Sequence, residues 1–244
     1  MFKLLKEIDK LKSEIKKLRP LSVNELRQIK EYYRIGLTYS SNAIEGNSLT
    51  ESETKIVLEE GITIGGKPLK DYYEAIGHSD GYDFIHTLAK EKKITESNIK
   101  KLHKLFYQKI DISKAGIYRK EKIFISGSKY SMPSPEKIKS LMKELMNYLV
   151  KIRAACHPVE FAAKLHKEFV FIHPFIDGNG RVARLLMNLV LLQESYNIVI
   201  IPLILRNDYI KFLENAHKDE TEFIKFIAEC VRESQKDYLR LLKD

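Results

Sequence analysis

Cysteine is scarce in this chain. Cys156 and Cys230 are the two present among 244 residues, and their spacing makes no Cys-x-x-Cys pair. Both fall in apolar helical patterns, which predicts buried, reduced thiols and a cytoplasmic setting rather than a catalytic thiol. Long apolar runs are missing as well: nothing approaches the ~18 consecutive apolar residues of a membrane-spanning helix. The first residues alternate Lys and Glu with Leu and Ile and hold no unbroken apolar stretch, so they do not read as a secretory leader. Dense basic blocks are also absent. The formal charge is +9, yet the lysines are spread along nearly every segment beside Glu or Asp, as on solvated helix faces. Without a nucleic-acid motif, that charge implies solubility and some attraction for nucleotides and acidic proteins. No internal repeat or low-complexity tract occurs.

What is present is helical periodicity. A hydrophobic content of 44% supports an ordinary buried core in one large domain or two small ones. Leu4, Ile8, Leu11, Ile15 and Leu18 mark one stripe of a first helix that Pro20 stops. That stripe either docks on the body or makes a small helical contact in a homodimer. Ser22 with Glu25, and Thr50 with Glu53, have capping-box spacing and start two further helices; the first runs towards Glu45, the second closes before Gly61. Gly65, Gly66 and Pro68 make 62–69 a turn or short ribbon. Helices follow from about Lys70 to Lys90, from Thr95 to near Ile110, and from Pro135 to about Ala155, where His157-Pro158 breaks the pattern. Val159–Ile172 and Val182–Gln193 are apolar enough to be buried, the second almost all round. Two closing helices span about 207–217 and 220–242. Ile123, Phe124 and Ile125, then Ser126-Gly127-Ser128, then Tyr130 and Met132, predict a small β-hairpin. The expected fold is all-α with one hairpin.

Chemistry concentrates in His173–Arg184, which reads H-P-F-I-D-G-N-G-R-V-A-R. Gly178, Asn179 and Gly180 make a turn, and a helix is predicted to begin near Arg181. A helix start is an anion site, because its first N–H groups lack partners and the positive end of the dipole lies there. Arg181 and Arg184 add cations on one face, unfavourable unless an anion offsets them. A polyphosphate fits this set. His173 can take a proton from an attacking hydroxyl near neutral pH. Asp177 can hold a magnesium ion (Mg2+), which binds through one or two carboxylates plus substrate phosphates. Together they suggest transfer of a phosphorus-centred group from a nucleotide. Taken singly, each residue has a plainer reading: a packed histidine, an N-cap at Asp177 or Asn179, turn glycines, arginines on a solvated face.

The stretch resembles the signature of the Fic (filamentation induced by cAMP) family, H-P-F-x-[D/E]-G-N-G-R-x-x-R, at every defined position. The resemblance implies a Fic-type helical bundle and a protein adenylyltransferase. In such an enzyme ATP lies across Gly178, Asn179, Gly180, Arg181 and Arg184 with magnesium on Asp177, and His173 is the base. Ser41-Asn42-Ala43-Ile44-Glu45-Gly46 resembles the family's inhibitory motif, [S/T]-x-x-x-E-[G/N]. On its own, Glu45 at a helix C-terminus is disfavoured by the dipole and calls for a cation. The resemblance names that cation as Arg184 and makes Ser41 and Glu45 an inhibitory pair, in the subclass whose inhibitory helix precedes the core. It divides the chain into an N-terminal helical region, 1–60, and a catalytic core, 61–244.

Gly116-Ile117-Tyr118-Arg119 followed by Ile123-Phe124-Ile125 resembles the family's flap, which docks a target protein by strand addition. Without the family, a structural hairpin covering the core is the plainer reading. Arg206-Asn207-Asp208-Tyr209 resembles a segment near the adenine, where Tyr209 either stacks or packs in the core. Alternatives stay open at this point. Within the family these are removal of AMP and transfer of UMP or phosphocholine. Outside it they are a non-catalytic nucleotide sensor or a nucleic-acid-binding protein. The acceptor is a Ser, Thr or Tyr hydroxyl on a target or on the protein itself.

Overall fold

The helices begin where the cap residues stand. In the computed structural model, which describes residues 1–18 and 20–243, α1 spans Phe2–Lys17 and α2 spans Val23–Ile44. The Ser22–Glu25 box that opens α2 is closed both ways: Glu25 N–H donates to Ser22 Oγ at 3.2 Å, and Ser22 N–H donates to the Glu25 carboxylate at 2.7 Å. Thr50 and Glu53 open α3 (Glu51–Glu60) in the same way, and Gly61 ends it in the left-handed conformation at φ 68°. Then come α4 (Leu69–Leu88), α5 (Glu96–Tyr107, boxed by Thr95 and Asn98), α6 (Pro135–Arg153) and α7 (Pro158–Ile172). The last two carry proline in the first turn, where its missing N–H costs nothing. The order closes with α8 (Asn179–Gln193), a short 3₁₀ turn at Leu203–Leu205, α9 (Arg206–Asn215) and α10 (Thr221–Lys243).

The centre of the fold is α8. Nearly all its side chains are buried, Leu185, Leu186, Val190 and Leu191 fully, as its apolar circumference requires. It packs on α7, α4, α5 and α2. Each fully buried leucine contributes about 1.5–3 kcal/mol relative to exposure, so the helix whose first turn belongs to the signature is also the one most firmly held. The α1 stripe docks on the body: Leu5, Ile8 and Ile15 are buried and α1 lies along α10. One main core cluster draws side chains from Leu5 to Leu239. Both cysteines are free; Cys230 is buried and its thiol is pushed up to about 12 by desolvation. No helix among the described residues is long and apolar enough to cross a membrane.

Two expectations need correction. Helix α8 begins at Asn179, two residues before Arg181, because Gly178 takes φ 78° and serves as the N-cap. No strand exists among the described residues, so the hairpin expected over 122–132 is an open loop. Its backbone groups find other partners. The Glu214 carboxylate accepts from Ser128 Oγ (3.1 Å) and from Lys129 N–H (2.6 Å), and Arg119 donates to the carbonyls of Glu121 and Pro133. Tyr130 stacks on His217, which stacks in turn on Phe171.

Candidate active site

His173 terminates α7 with φ 50° and ψ 59°. A non-glycine residue rarely sits there, and doing so costs of order 1–3 kcal/mol. The turn carries the chain out of α7 and back into α8. Nδ1 lies 3.1 Å from the Val170 carbonyl; a carbonyl can only accept, so Nδ1 carries the proton and Nε2 is left as the basic nitrogen. Burial lowers the pKa of His173, Arg119 lowers it further, and the Val170 hydrogen bond, Glu45 and Asp177 oppose the shift. The imidazole is therefore neutral at pH 7, as a general base must be.

The loop between the two helices is closed by Asn179. Its Oδ1 accepts from Phe175 N–H at 2.9 Å and its Nδ2 donates to Phe175 O at 2.8 Å. At 1% exposure, the side chain expected to touch nucleotide is instead the clasp of the turn, and what it leaves for a ligand is backbone. The first return bond of α8 runs from Val182 N–H to Gly178 O, so the N–H groups before it have no intrahelical partner. A Cβ on Gly178 would overlap the Phe106 ring, and one on Gly180 would collide with Glu45 Oε1 and crowd Arg184. Glu45 thus lies directly over the helix start.

Neither arginine is free. Arg184, 2% exposed, donates from Nε to Ser41 Oγ (2.9 Å), from Nη2 to Ser41 O (2.8 Å) and Glu45 Oε1 (2.8 Å), and from Nη1 to the Tyr209 hydroxyl, Oη (3.2 Å). Burial raises the Glu45 pKa, but Arg184 and Arg181 more than offset it and hold the carboxyl below its ordinary value. Arg181 pairs with Glu74 at 2.7 Å and Asp177 at 2.9 Å, and its guanidinium lies over the Phe106 ring at 4.6 Å.

The Asp177 carboxylate also meets Lys70 Nζ at 3.2 Å and accepts from Gly178 N–H. Burial raises the pKa of Asp177 and the cations lower it more, so it is ionised. A lone ionised carboxylate that already draws an ammonium group to the edge of a cavity fits magnesium, whose other ligands are substrate phosphates and water. No cluster of three metal-binding side chains exists among the described residues, so the substrate itself must complete any such site.

These groups line one cavity of about 170 Å³, bounded by Glu45, His173, Asp177, Gly178, Asn179, Gly180 and Arg181 at its polar end. Ile125, Met132, Val170, Phe171, Ile210 and Leu213 form the apolar end. Ligand sites for drug-sized molecules are typically ~300–1,000 Å³, so the cavity is small with Glu45 in it. Tyr209, expected against adenine, is 1% exposed and packs on Phe223 and Phe226. Its hydroxyl braces Arg184 and lies 3.0 Å from His166 Nε2. Of the expected flap residues, Ile125 lines the cavity, Ile123 is half-buried, and Phe124 points to solvent, 94% exposed.

Four contributors went unread in the sequence: Glu74, Lys70, His103 and Arg119. Glu74 is a buried acid on α4 between Tyr72 and Ala75, also buried; an acid on an apolar helix face is a signal for a buried cation. His103 accepts from Gly116 N–H at Nδ1 (2.8 Å) and faces Asp177 O at Nε2 (3.1 Å), so it ties the loop after α5 to the signature turn.

The same fold and motif occur in known proteins. Residues 93–191 match the Fic/DOC family. The structure of a Fic domain-containing signaling protein from Bacteroides thetaiotaomicron superposes with a TM-score of 0.89 at 31% identity, covering 97% of this chain and 98% of that one. This chain belongs to the Fic/DOC family. The Fic structure of Fic-1 from C. elegans gives the same TM-score, 0.89, at 29% identity over 99% of this chain and 72% of that one. A protein adenylyltransferase Fic from Nematostella vectensis is 35% identical over 240 residues, 97% of this chain and 56% of that protein. The chain spans about half the length of the curated Fic relatives it matches.

Proposed function

We propose that this Fic protein is an AMP transferase that moves AMP from ATP to a Ser, Thr or Tyr hydroxyl of a protein, held weakly active by Glu45. The observation that carries the reading is the neutral imidazole of His173, with Nδ1 on Val170, lining the same cavity as the helix start at Gly178–Arg181. His173 Nε2 takes the hydroxyl proton as the hydroxyl oxygen forms a bond to the α-phosphorus. The bond from that phosphorus to the bridging oxygen breaks, and the electron pair leaves with pyrophosphate. The N–H groups of the α8 start, with Arg181, and Arg184 once Glu45 withdraws, offset the charge that develops. Magnesium on Asp177 would neutralise phosphate charge and help align the polyphosphate.

Glu45 supports the inhibitory half of the reading, since its carboxylate lies where the terminal phosphates of ATP would meet Arg184. In this reading 1–60 is a regulatory region and 61–244 the catalytic core. The acceptor docks along the loop at Ile123–Ile125, where the Phe124 side chain is exposed. Free thiols favour a reducing, cytoplasmic setting.

The test is label transfer from ATP with magnesium in the Glu45→Gly protein, read by mass spectrometry. An AMP mass increment on a hydroxyl supports the proposal, and its loss in Glu45→Gly/His173→Ala, with ATP binding kept, assigns the base. Persistent transfer without His173 would remove it from that role. A second reading, removal of AMP, is favoured by the place of Glu45: 35% exposed, on the same cavity as His173, it can orient a water. Release of AMP from a modified protein by the unaltered chain, exceeding labelling by ATP, would favour that direction. Parallel labelling with UTP and a phosphocholine donor decides the transferred group. Salt-dependent DNA binding with no transfer would replace both readings.

A further inference from the structure

Arg119 is a buried cation without an acid. It is 4% exposed, and burial is what lowers its pKa. All three of its guanidinium bonds go to backbone carbonyls: Nε to His173 O (2.8 Å), Nη1 to Glu121 O (3.0 Å) and Nη2 to Pro133 O (2.7 Å). Its own N–H donates to Pro174 O at 2.9 Å. Those carbonyls belong to two places. One is the left-handed turn that carries His173. The other two flank the loop 122–132, whose residues Ile125, Ser128 and Met132 line the cavity.

We propose that Arg119 is a positioning residue that joins the His173 turn and both ends of the cavity-covering loop into one rigid unit, so that acceptor and base meet in register. The proposal rests on the reading of His173 as the base. The last carbonyls of a helix lack intrahelical partners, and a cation there also complements the dipole. With the ring held by Val170 and the carbonyl by Arg119, both ends of the His173 residue are tied, which is what a strained φ of 50° requires to persist. A lysine cannot replace it: one ammonium on a flexible stem does not span three carbonyls in a plane, whereas a guanidinium fork does.

Arg119 also acts on the imidazole through space, favouring the neutral form. The other charges facing His173 are Glu45 from α2 and Asp177 from the signature turn, both favouring the protonated form. Arg181, Glu214 and His217 stand elsewhere on the cavity wall.

Two substitutions in the Glu45→Gly protein separate the effects. Arg119→Lys keeps the charge and loses the fork; Arg119→Met keeps the stem and loses both. The assays are labelling from ATP with magnesium, ATP affinity, NMR titration of the His173 ring, and amide exchange over 120–134. Arg119→Lys is expected to lower kcat on the order of 10²-fold, as sub-ångström misplacement does, with KM for ATP nearly unchanged, because Arg119 is not on the cavity wall. Its His173 midpoint stays near the parent's and exchange over 120–134 rises. Arg119→Met adds an upward shift of that midpoint, moving the acidic limb of the rate to higher pH. A Lys variant within about threefold of the parent in kcat, or unchanged amide exchange over 120–134 in both variants, would overturn the proposal. If the Met variant does not fold, the Lys variant decides. If the Glu45→Gly parent itself transfers nothing, the transferase reading fails; ring titration and amide exchange in the same variants still decide whether Arg119 ties the turn to the loop.

Discussion

Glu45 Oε1 lies 2.8 Å from Arg184 Nη2 and directly above Gly180, so one carboxylate meets both the guanidinium and the bare helix start. The pair is asymmetric. Arg184 is 2% exposed, while Glu45 is 35% exposed, and Ser41 and Tyr209 still hold the arginine when the glutamate leaves. The arginine's remaining partners would therefore keep it in place if the carboxylate withdrew.

Glu45→Gly is expected to raise labelling from ATP by about 5–150-fold, the range that 1–3 kcal/mol of coupling supports. ATP affinity rises with it. Calorimetric titration and incorporation of labelled AMP check both; equal labelling in the two proteins would mean that Glu45 does not restrain the reaction.

Glu74→Ala leaves Arg181 without its buried partner. Both side chains are nearly inaccessible, and breaking such a pair typically costs about 3–5 kcal/mol. The midpoint of urea unfolding should fall accordingly. A change under about 1 kcal/mol, the scale of a surface pair, would show that Asp177 alone suffices for Arg181.

Tyr209→Phe removes the hydroxyl that accepts from Arg184. The expected loss is about 1–3 kcal/mol for a buried donor left unsatisfied, with ATP affinity in the Glu45→Gly background little changed. Weaker ATP binding at unaltered stability would instead place the ring against the base.

Stability should decline on acidification before the carboxylates titrate. His78, His103 and His166 are fully buried, and burial pushes them down to about 3, 4 and 3. Unfolded histidines take up protons below about 6.5, but these cannot until pH falls to their folded values. Their contribution is therefore complete above pH 6.5 and is lost on descending to 3–4, each with a slope approaching 1.4 kcal/mol per pH unit. Denaturant midpoints between pH 7 and 4 test this; a flat profile would contradict it. The acidic limb of activity likewise falls below the ordinary histidine range, since burial lowers His173.

Much of the molecule was readable along the chain. The boxes at Ser22 and Thr50 close within three residues, and the apolar circumference of 182–193 marks a central helix wherever that helix is placed. Gly178, Gly180, Arg181 and Arg184 suggest an anion site in the sequence because a predicted helix start and two cations lie within seven residues; the structure gathers carboxylates on both arginines there. The loop at 122–132 was misread for a physical reason. Alternating apolar residues around Ser-Gly-Ser describe a hairpin only if its limbs pair with each other; here they do not, and Glu214 takes Ser128 Oγ and Lys129 N–H while Arg119 takes the carbonyls of the flanking Glu121 and Pro133. Tyr209 was ambiguous because a phenol suits either stacking or bracing; its hydroxyl braces Arg184 while the residue also lines the cavity. Arg119 lay within a stretch singled out for its resemblance to the flap, but nothing local shows that its fork reaches His173.

By itself the sequence determined the helices, their ends and the chemical inventory of the signature, because capping and periodicity are interactions among residues three or four apart. Tertiary structure brings Glu45 across 139 positions to Arg184, the cation that the family resemblance implied, and it alone decided which acid takes Arg181 and which carbonyls Arg119 holds. Those choices depend on how α2, α4 and α8 pack, and packing distances between helices are not written in the spacing of residues along any one of them.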